Sequence, residues 1–213
     1  MAKKIIIWVA VFAGSIVLLF LLAKTAGKTV GGTVVPGAEI INADDHLSGS
    51  ASAPIKFIEY GDFQCPACAA YFPMVQQLQK EFGDTVVFVF RNFPLRQHPN
   101  AVPAAQAAEA AGLQGKYWEM FDMIYENQDA WSASTTVADI FAGYATKIGL
   151  NLDQYQEDVN SDGVKRKIDS DLNGGLGFGV NSTPSFFVNG KLLAQPTYDT
   201  FKAEFQTVLN TNR

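Results

Sequence analysis

Ile5 to Ala23 is an uninterrupted apolar run without charge, preceded by Lys3 and Lys4. About 20 apolar residues are enough to cross a bilayer, so residues 1–24 are expected to form one N-terminal transmembrane helix. The run outlasts the roughly 7 to 15 apolar residues of a signal-peptide core. Ala23-Lys24-Thr25-Ala26 places lysine and threonine where a small-x-small cleavage site would stand, which favours a retained anchor over a cleaved leader. Lys3 and Lys4 set the N-terminus on the cytoplasmic side, an asymmetry that Lys24 and Lys28 weaken, and the remainder is expected outside the membrane.

Thr25 to Ala53 shows no sustained period and is rich in Gly, Thr, Ala and Ser, which reads as a flexible tether over residues 25–53. Asp44, Asp45 and His46 within it read as a solvated polar cluster. From Pro54 strand and helix alternate. Ile55 to Tyr60 predicts a strand and Cys65 to Phe82 a helix that Pro73 should kink. Thr85 to Arg91 is almost continuously apolar, as expected of a central strand buried on both faces. A βαβ unit over residues 54–98 follows.

Residues 99–178 switch to helical periodicity. Ala104, Ala107, Ala108 and Ala111 share a face, as do Trp118, Phe121 and Tyr125, and again Val137, Ile140, Phe141, Tyr144 and Ile148. Thr136 with Asp139 resembles a capping box, and Ser161 is a second helix cap. These stripes are core, and the region is an inserted helical subdomain that exits through Gly174 to Gly179. In residues 179–213, Asn189-Gly190 between apolar runs predicts a two-residue hairpin turn, with Pro184 opening its first strand. A last helix near Thr197 to Leu209 puts Phe201, Phe205, Val208 and Leu209 on one face.

The chain has 213 residues, of which 48% are hydrophobic, with a formal net charge of −5. That balance suits one globular domain behind a membrane segment, and nothing basic points to nucleic acid. Its two cysteines stand together as Cys65-Pro66-Ala67-Cys68 between the first strand and its helix. A cysteine at a helix N-terminus faces unsatisfied N–H groups and the positive end of the helix dipole, which favours thiolate over thiol. Cys65 is therefore the expected nucleophile. Cys68 lies nearly one turn on, close enough to close a disulfide or resolve a mixed one. Pro66 suits the first helical position, and Ala67 keeps the intervening segment small.

Cys-x-x-Cys alone also supplies half a zinc site or a haem attachment sequence. Haem attachment needs histidine at position 69, which is Ala69, and zinc needs a second Cys/His pair, whereas His46 and His98 are single. A purely structural disulfide across so short a loop would remove little unfolded-chain entropy.

Glu59-Tyr60-Gly61-Asp62-Phe63-Gln64-Cys65-Pro66-Ala67-Cys68, the helical insertion and Thr183-Pro184-Ser185-Phe186-Phe187-Val188-Asn189-Gly190 together resemble the DsbA-like thiol-disulfide oxidoreductases of the thioredoxin superfamily. The likeness is greatest to the membrane-tethered members of BdbD type and spans Pro54 to Leu209. It implies an α/β fold, thioredoxin-like with an inserted helical subdomain. It also implies that Pro184 is cis beside the sulfurs, and that Thr183 and Pro184, with Pro66 and Ala67, meet an extended substrate. Glu59 resembles the buried acid that relays the proton of Cys68, a role that a raised pKa suits; the alternative is a strand residue facing solvent. Asp62, Phe63 and Gln64 are expected to shape the loop.

The implied activity is donation of the Cys65–Cys68 disulfide to exported cysteine-containing proteins by a membrane-anchored monomer needing no cofactor. Reoxidation would fall to a membrane quinone-linked partner, DsbB-like or related to vitamin K epoxide reductase. Two departures lower the expected oxidising power: Ala67 replaces the family's usual histidine, and Thr183 stands where strongly oxidising members carry valine. A reductase or isomerase of the same fold, or a redox-silent chaperone holding peptides beside Pro184, are the alternatives.

Overall fold

The computed structural model describes residues 32–211. The expected anchor over residues 1–24 and the start of the expected tether lie outside them. Among the described residues no helix is long and apolar enough to cross a membrane.

The expected βαβ unit forms the centre. β3 (Ile55–Gly61) runs into α1 (Pro66–Phe82) and returns as β4 (Val86–Asn92), parallel to β3. α1 continues unbroken through Pro73. All seven residues of β4 are buried, the mark of a strand covered on both faces. On the other side of β3 stands the antiparallel hairpin β5 (Ser185–Val188) and β6 (Lys191–Leu193). Asn189 and Gly190 take φ of 46° and 78°, the doubly left-handed turn that matches strand twist.

The segment expected to be a tether departs from that expectation from Gly32 onward. β1 (Gly32–Val34) pairs with β6 and β2 (Leu47–Ser48) pairs with β4, giving the sheet order β1-β6-β5-β3-β4-β2. One stretch of chain thus supplies both edges of the sheet. Between them Asp45 is not solvated: its side chain is fully buried against Arg91, with Nε–Oδ1 at 3.1 Å and Nη2–Oδ2 at 2.7 Å. Arg91 also donates to the Ile40 carbonyl and the Tyr60 hydroxyl. A buried guanidinium requires such a full set of acceptors. His46 stacks on Tyr117 at 3.8 Å and lies 2.8 Å from a Glu109 carboxylate oxygen. These polar anchors hold the segment down together with Val35, Ala38, Ile41 and Leu47, which pack against the Ile58 and Tyr60 cluster.

The helical subdomain comprises α2 (Ala101–Leu113), α3 (Tyr117–Glu126), α4 (Gln128–Trp131), α5 (Val137–Lys147), α6 (Leu152–Asp158) and α7 (Asp162–Gly177). Ala104, Ala107, Ala108 and Ala111 are fully buried, as their spacing requires. Ser161 caps α7, its hydroxyl accepting from Val164 N, but Thr136 and Asp139 form no capping box. The Thr136 hydroxyl lies 3.3 Å from that of Ser134 and does not cap α5. The expected Gly-rich exit is helical as far as Gly177, because Gly175 lets α7 close on Tyr60 and Phe93; a Cβ there would come within 2.8 Å of the Phe93 ring.

The alternation of β3 sorts its side chains. Ile58 and Tyr60 face a cluster with Val89, Phe93, Val180 and Phe187. Phe57 and Glu59 face the opposite way, where Phe57 meets Phe88, Phe186 and, from α8 (Tyr198–Thr211), Phe201 and Phe205. The last helix therefore covers the sheet as its apolar stripe predicts.

Candidate active site

α1 begins where β3 ends, and Cys65 is its N-cap residue, in extended conformation (φ −70°, ψ 121°), with Pro66 next in the first turn. The Cys65 sulfur therefore faces the free N–H groups of the first turn. Its thiol is pulled down to about 5, chiefly by the hydrogen bond from the Cys68 thiol. Burial works against this, while Thr183 and the backbone N–H groups of Cys68 and Ala67 assist. Thiolates of this kind run from about 7 in thioredoxin to about 3.5 in the strongest oxidant. Cys65 falls between, with stabilisation from the helix start even without a histidine at position 67.

Cys68 is 1% exposed and its thiol is pushed well above the ordinary value, first by burial and then by its own donation to Cys65. The Asp62 N–H points at its sulfur from 3.5 Å. The two sulfurs are not bonded to each other in this structure, so the geometry is that of the dithiol. One sulfur is thus poised as an anion at the rim and the other held as a buried thiol.

Glu59 is buried rather than facing solvent, on the face of β3 shared with Phe57. Its carboxyl is raised to about 8, by burial first and by the charge on Cys65 second. Thr183–Pro184 is the one cis peptide bond among the described residues. It brings the Thr183 carbonyl to 3.5 Å from the Cys65 sulfur, and the Thr183 hydroxyl is buried without a protein partner. Pro66 and Ala67 are exposed beside it. The structure thus gathers Cys65, Cys68, Pro66, Ala67, Thr183 and Pro184 around one sulfur.

Asp62 and Gln64 shape the loop as expected, through partners the sequence does not disclose, while His98 and Gln128 escape a reading of the sequence. His98 pairs with the buried Asp62 carboxylate, Nδ1 to Oδ2 at 2.7 Å, while Asp62 also accepts from Gln64 N and Leu95 N. Gln64 reaches the insertion, donating to the Ser132 carbonyl and accepting from Asn100 N. Gln128 donates to two carbonyls of the cysteine loop. All depend on residues more than thirty positions away. Among the described residues no group of three or more His, Cys, Asp or Glu is placed to hold a metal ion.

A stabilised thiolate at a helix start, with a buried thiol beneath it, is built to exchange with another disulfide, which places the chain among the thiol-disulfide oxidoreductases. The family model described as Thioredoxin matches residues 42–206, and the chain belongs to that family. Its architecture is DsbA-like. Oxidised BdbD of Bacillus subtilis superposes with a TM-score of 0.70 at 20% identity, over 78% of this chain and 94% of that one. Alpha-DsbA1 of Wolbachia pipientis gives 0.69 at 20% identity, over 81% and 94%. A thioredoxin-like oxidoreductase from Silicibacter pomeroyi gives 0.62 at 24%, over 81% and 94%.

Curated relatives by sequence carry another name. The Na(+)/H(+) antiporter NhaA 1 of Mycolicibacterium gilvum is 39% identical over 152 residues, 69% of this chain and 24% of that protein. Its counterpart in Salinispora arenicola is 40% identical over 148 residues, 69% and 22%. The chain spans about a quarter of the length of these relatives.

Proposed function

We propose that the protein donates the Cys65–Cys68 disulfide to cysteine-containing proteins outside the cytoplasm. The observation that carries this reading is the split between the two sulfurs: Cys65 drawn down to about 5, Cys68 pushed up by burial. A stable thiolate favours the reduced protein and so makes its disulfide the stronger oxidant. One structural neighbour, alpha-DsbA2 of Wolbachia pipientis, is described as a thiol-disulfide exchange protein, which supports the same chemistry here.

In the forward reaction a substrate thiolate attacks the Cys65 sulfur of the disulfide. The Cys65–Cys68 bond breaks, and Cys68 leaves with the electron pair and is protonated. Glu59, whose carboxyl burial raises well above its ordinary value, is the proposed source of that proton. A second substrate thiolate attacks the substrate sulfur bound to Cys65. The substrate disulfide forms and Cys65 departs as thiolate. During the mixed-disulfide stage the Thr183 backbone pairs with the extended substrate beside Pro184.

The apolar run Ile5 to Ala23 supports an anchor that keeps the domain at the outer membrane face, where a membrane quinone-linked partner would remove the two electrons. Equilibration of the full chain in detergent against glutathione buffers tests the direction. A potential toward the −120 mV of a strong oxidant supports donation, and one near −270 mV overturns it in favour of a reductant.

A further inference from the structure

The carbonyl oxygens of Phe63 and Cys65, in the loop and helix start that carry the reactive sulfur, are both within reach of the helical subdomain. There they meet a single side chain: Gln128 Nε2 donates to Phe63 O at 2.7 Å and to Cys65 O at 3.1 Å. Gln128 is 9% exposed. It opens α4, whose turn is pinned back onto α3 by Trp131 Nε1 donating to the Ile124 carbonyl and Asn127 Nδ2 donating to the Met123 carbonyl, each at 2.8 Å. The amide is therefore held by a rigid corner rather than a loose loop.

We propose that Gln128 is a positioning residue for the nucleophile, fixing the backbone of Cys65 so that its sulfur stays over the N–H groups of the first turn. Cys65 keeps the extended conformation of an N-cap (φ −70°, ψ 121°) while its carbonyl accepts the first helical bond from Ala69 N. Rotation about ψ would swing that carbonyl and break the alignment that stabilises the thiolate. Within the helix Ala69 N alone restrains this oxygen; Gln128 adds a second donor from another element. The same amide also holds Phe63 O, so it grips the chain two residues before the sulfur as well as at it. The insertion thereby acts on the reactivity of Cys65 without touching the sulfur.

This inference rests on the dithiol-exchange reading, and the test separates the two. Gln128→Met keeps the length and burial but has no donor. It is expected to lower the thiolate fraction of Cys65 below its midpoint about tenfold, followed by ultraviolet thiolate absorbance against pH. Its equilibrium constant with glutathione should move toward the disulfide by the same factor, about 30 mV. Gln128→Asn, one methylene shorter, is carried through the same measurements and serves alone if the Met variant does not fold. A fall in melting temperature with an unchanged Cys65 titration and potential would make Gln128 merely structural and overturn the inference. Wild-type protein that forms no disulfide in any glutathione buffer would overturn the underlying reading itself.

Discussion

The Cys65 sulfur lies 3.5 Å from the carbonyl oxygen of Thr183, a residue 118 positions further along the chain. The helix start that activates the thiolate and the cis-proline loop that would align a substrate are thus one surface. β3 makes this possible by pairing with both β4 and β5: its end launches the cysteine loop, while β5 begins directly after Pro184.

Alkylation should follow the thiolate. The rate of Cys65 modification by iodoacetamide in the reduced protein is expected to rise with a midpoint near pH 5, set by the Cys68 hydrogen bond. Offered oxidised glutathione, Cys68→Ser should accumulate a mixed disulfide on Cys65 that no second cysteine resolves, and Cys65→Ser should abolish exchange with a reduced, unfolded substrate. Mass spectrometry of quenched reactions distinguishes these species.

Stability should depend on pH differently in the two redox forms. The folded value of Glu59, about 8, exceeds its free value of 4.5, so its contribution is complete below about pH 4.5 and is lost as pH rises through 8. Cys65 has the opposite sign: its folded value of about 5 lies below 9, so its contribution grows across that window. In the reduced protein the slopes oppose each other. In the disulfide form the Cys65 contribution vanishes, and with it the part of the Glu59 rise that the Cys65 charge causes; burial still raises Glu59, so stability should fall as pH rises above about 4.5. Urea unfolding of both forms checks this, and Glu59→Gln should flatten the oxidised curve.

Asp45→Asn leaves the Arg91 guanidinium buried without its counter-charge, a loss of about 3–5 kcal/mol. A shorter chain beginning at Ala53 should be weakened further, because β1 and β2 go with it. Urea midpoints of the two, compared with the intact domain, provide the measurement.

Thr183→Val removes a side chain that helps hold the Cys65 thiol low, so the alkylation midpoint of Cys65 should move up from about pH 5. Iodoacetamide rates against pH in the two proteins read this directly.

What the sequence discloses here is what local pattern controls. Cys65 at a helix start follows from the strand before it and Pro66 after it, and Asn189-Gly190 specifies its turn alone. The segment from Gly32 to Ser48 carries no such signature, because Asp45 is specified by Arg91, 46 residues away, and β1 by a hairpin near the other terminus. Gln128 was silent for the same reason: a glutamine in a helical stretch declares nothing until a corner aims it at Phe63 and Cys65. Glu59 was legible as a candidate through resemblance, yet its burial depends on the helices covering that face of β3.

A disulfide donor of the kind proposed here would work among unfolded chains, for which an open sheet edge is an invitation to add a strand. Here both borders are occupied by pieces of one N-terminal strap, three residues long at β1 and two at β2. Edges so short offer a passing polypeptide little to template on. On the proposed reading, backbone contacts with an extended substrate are thereby directed to the loop beside Cys65 and Pro184, where sulfur chemistry takes place.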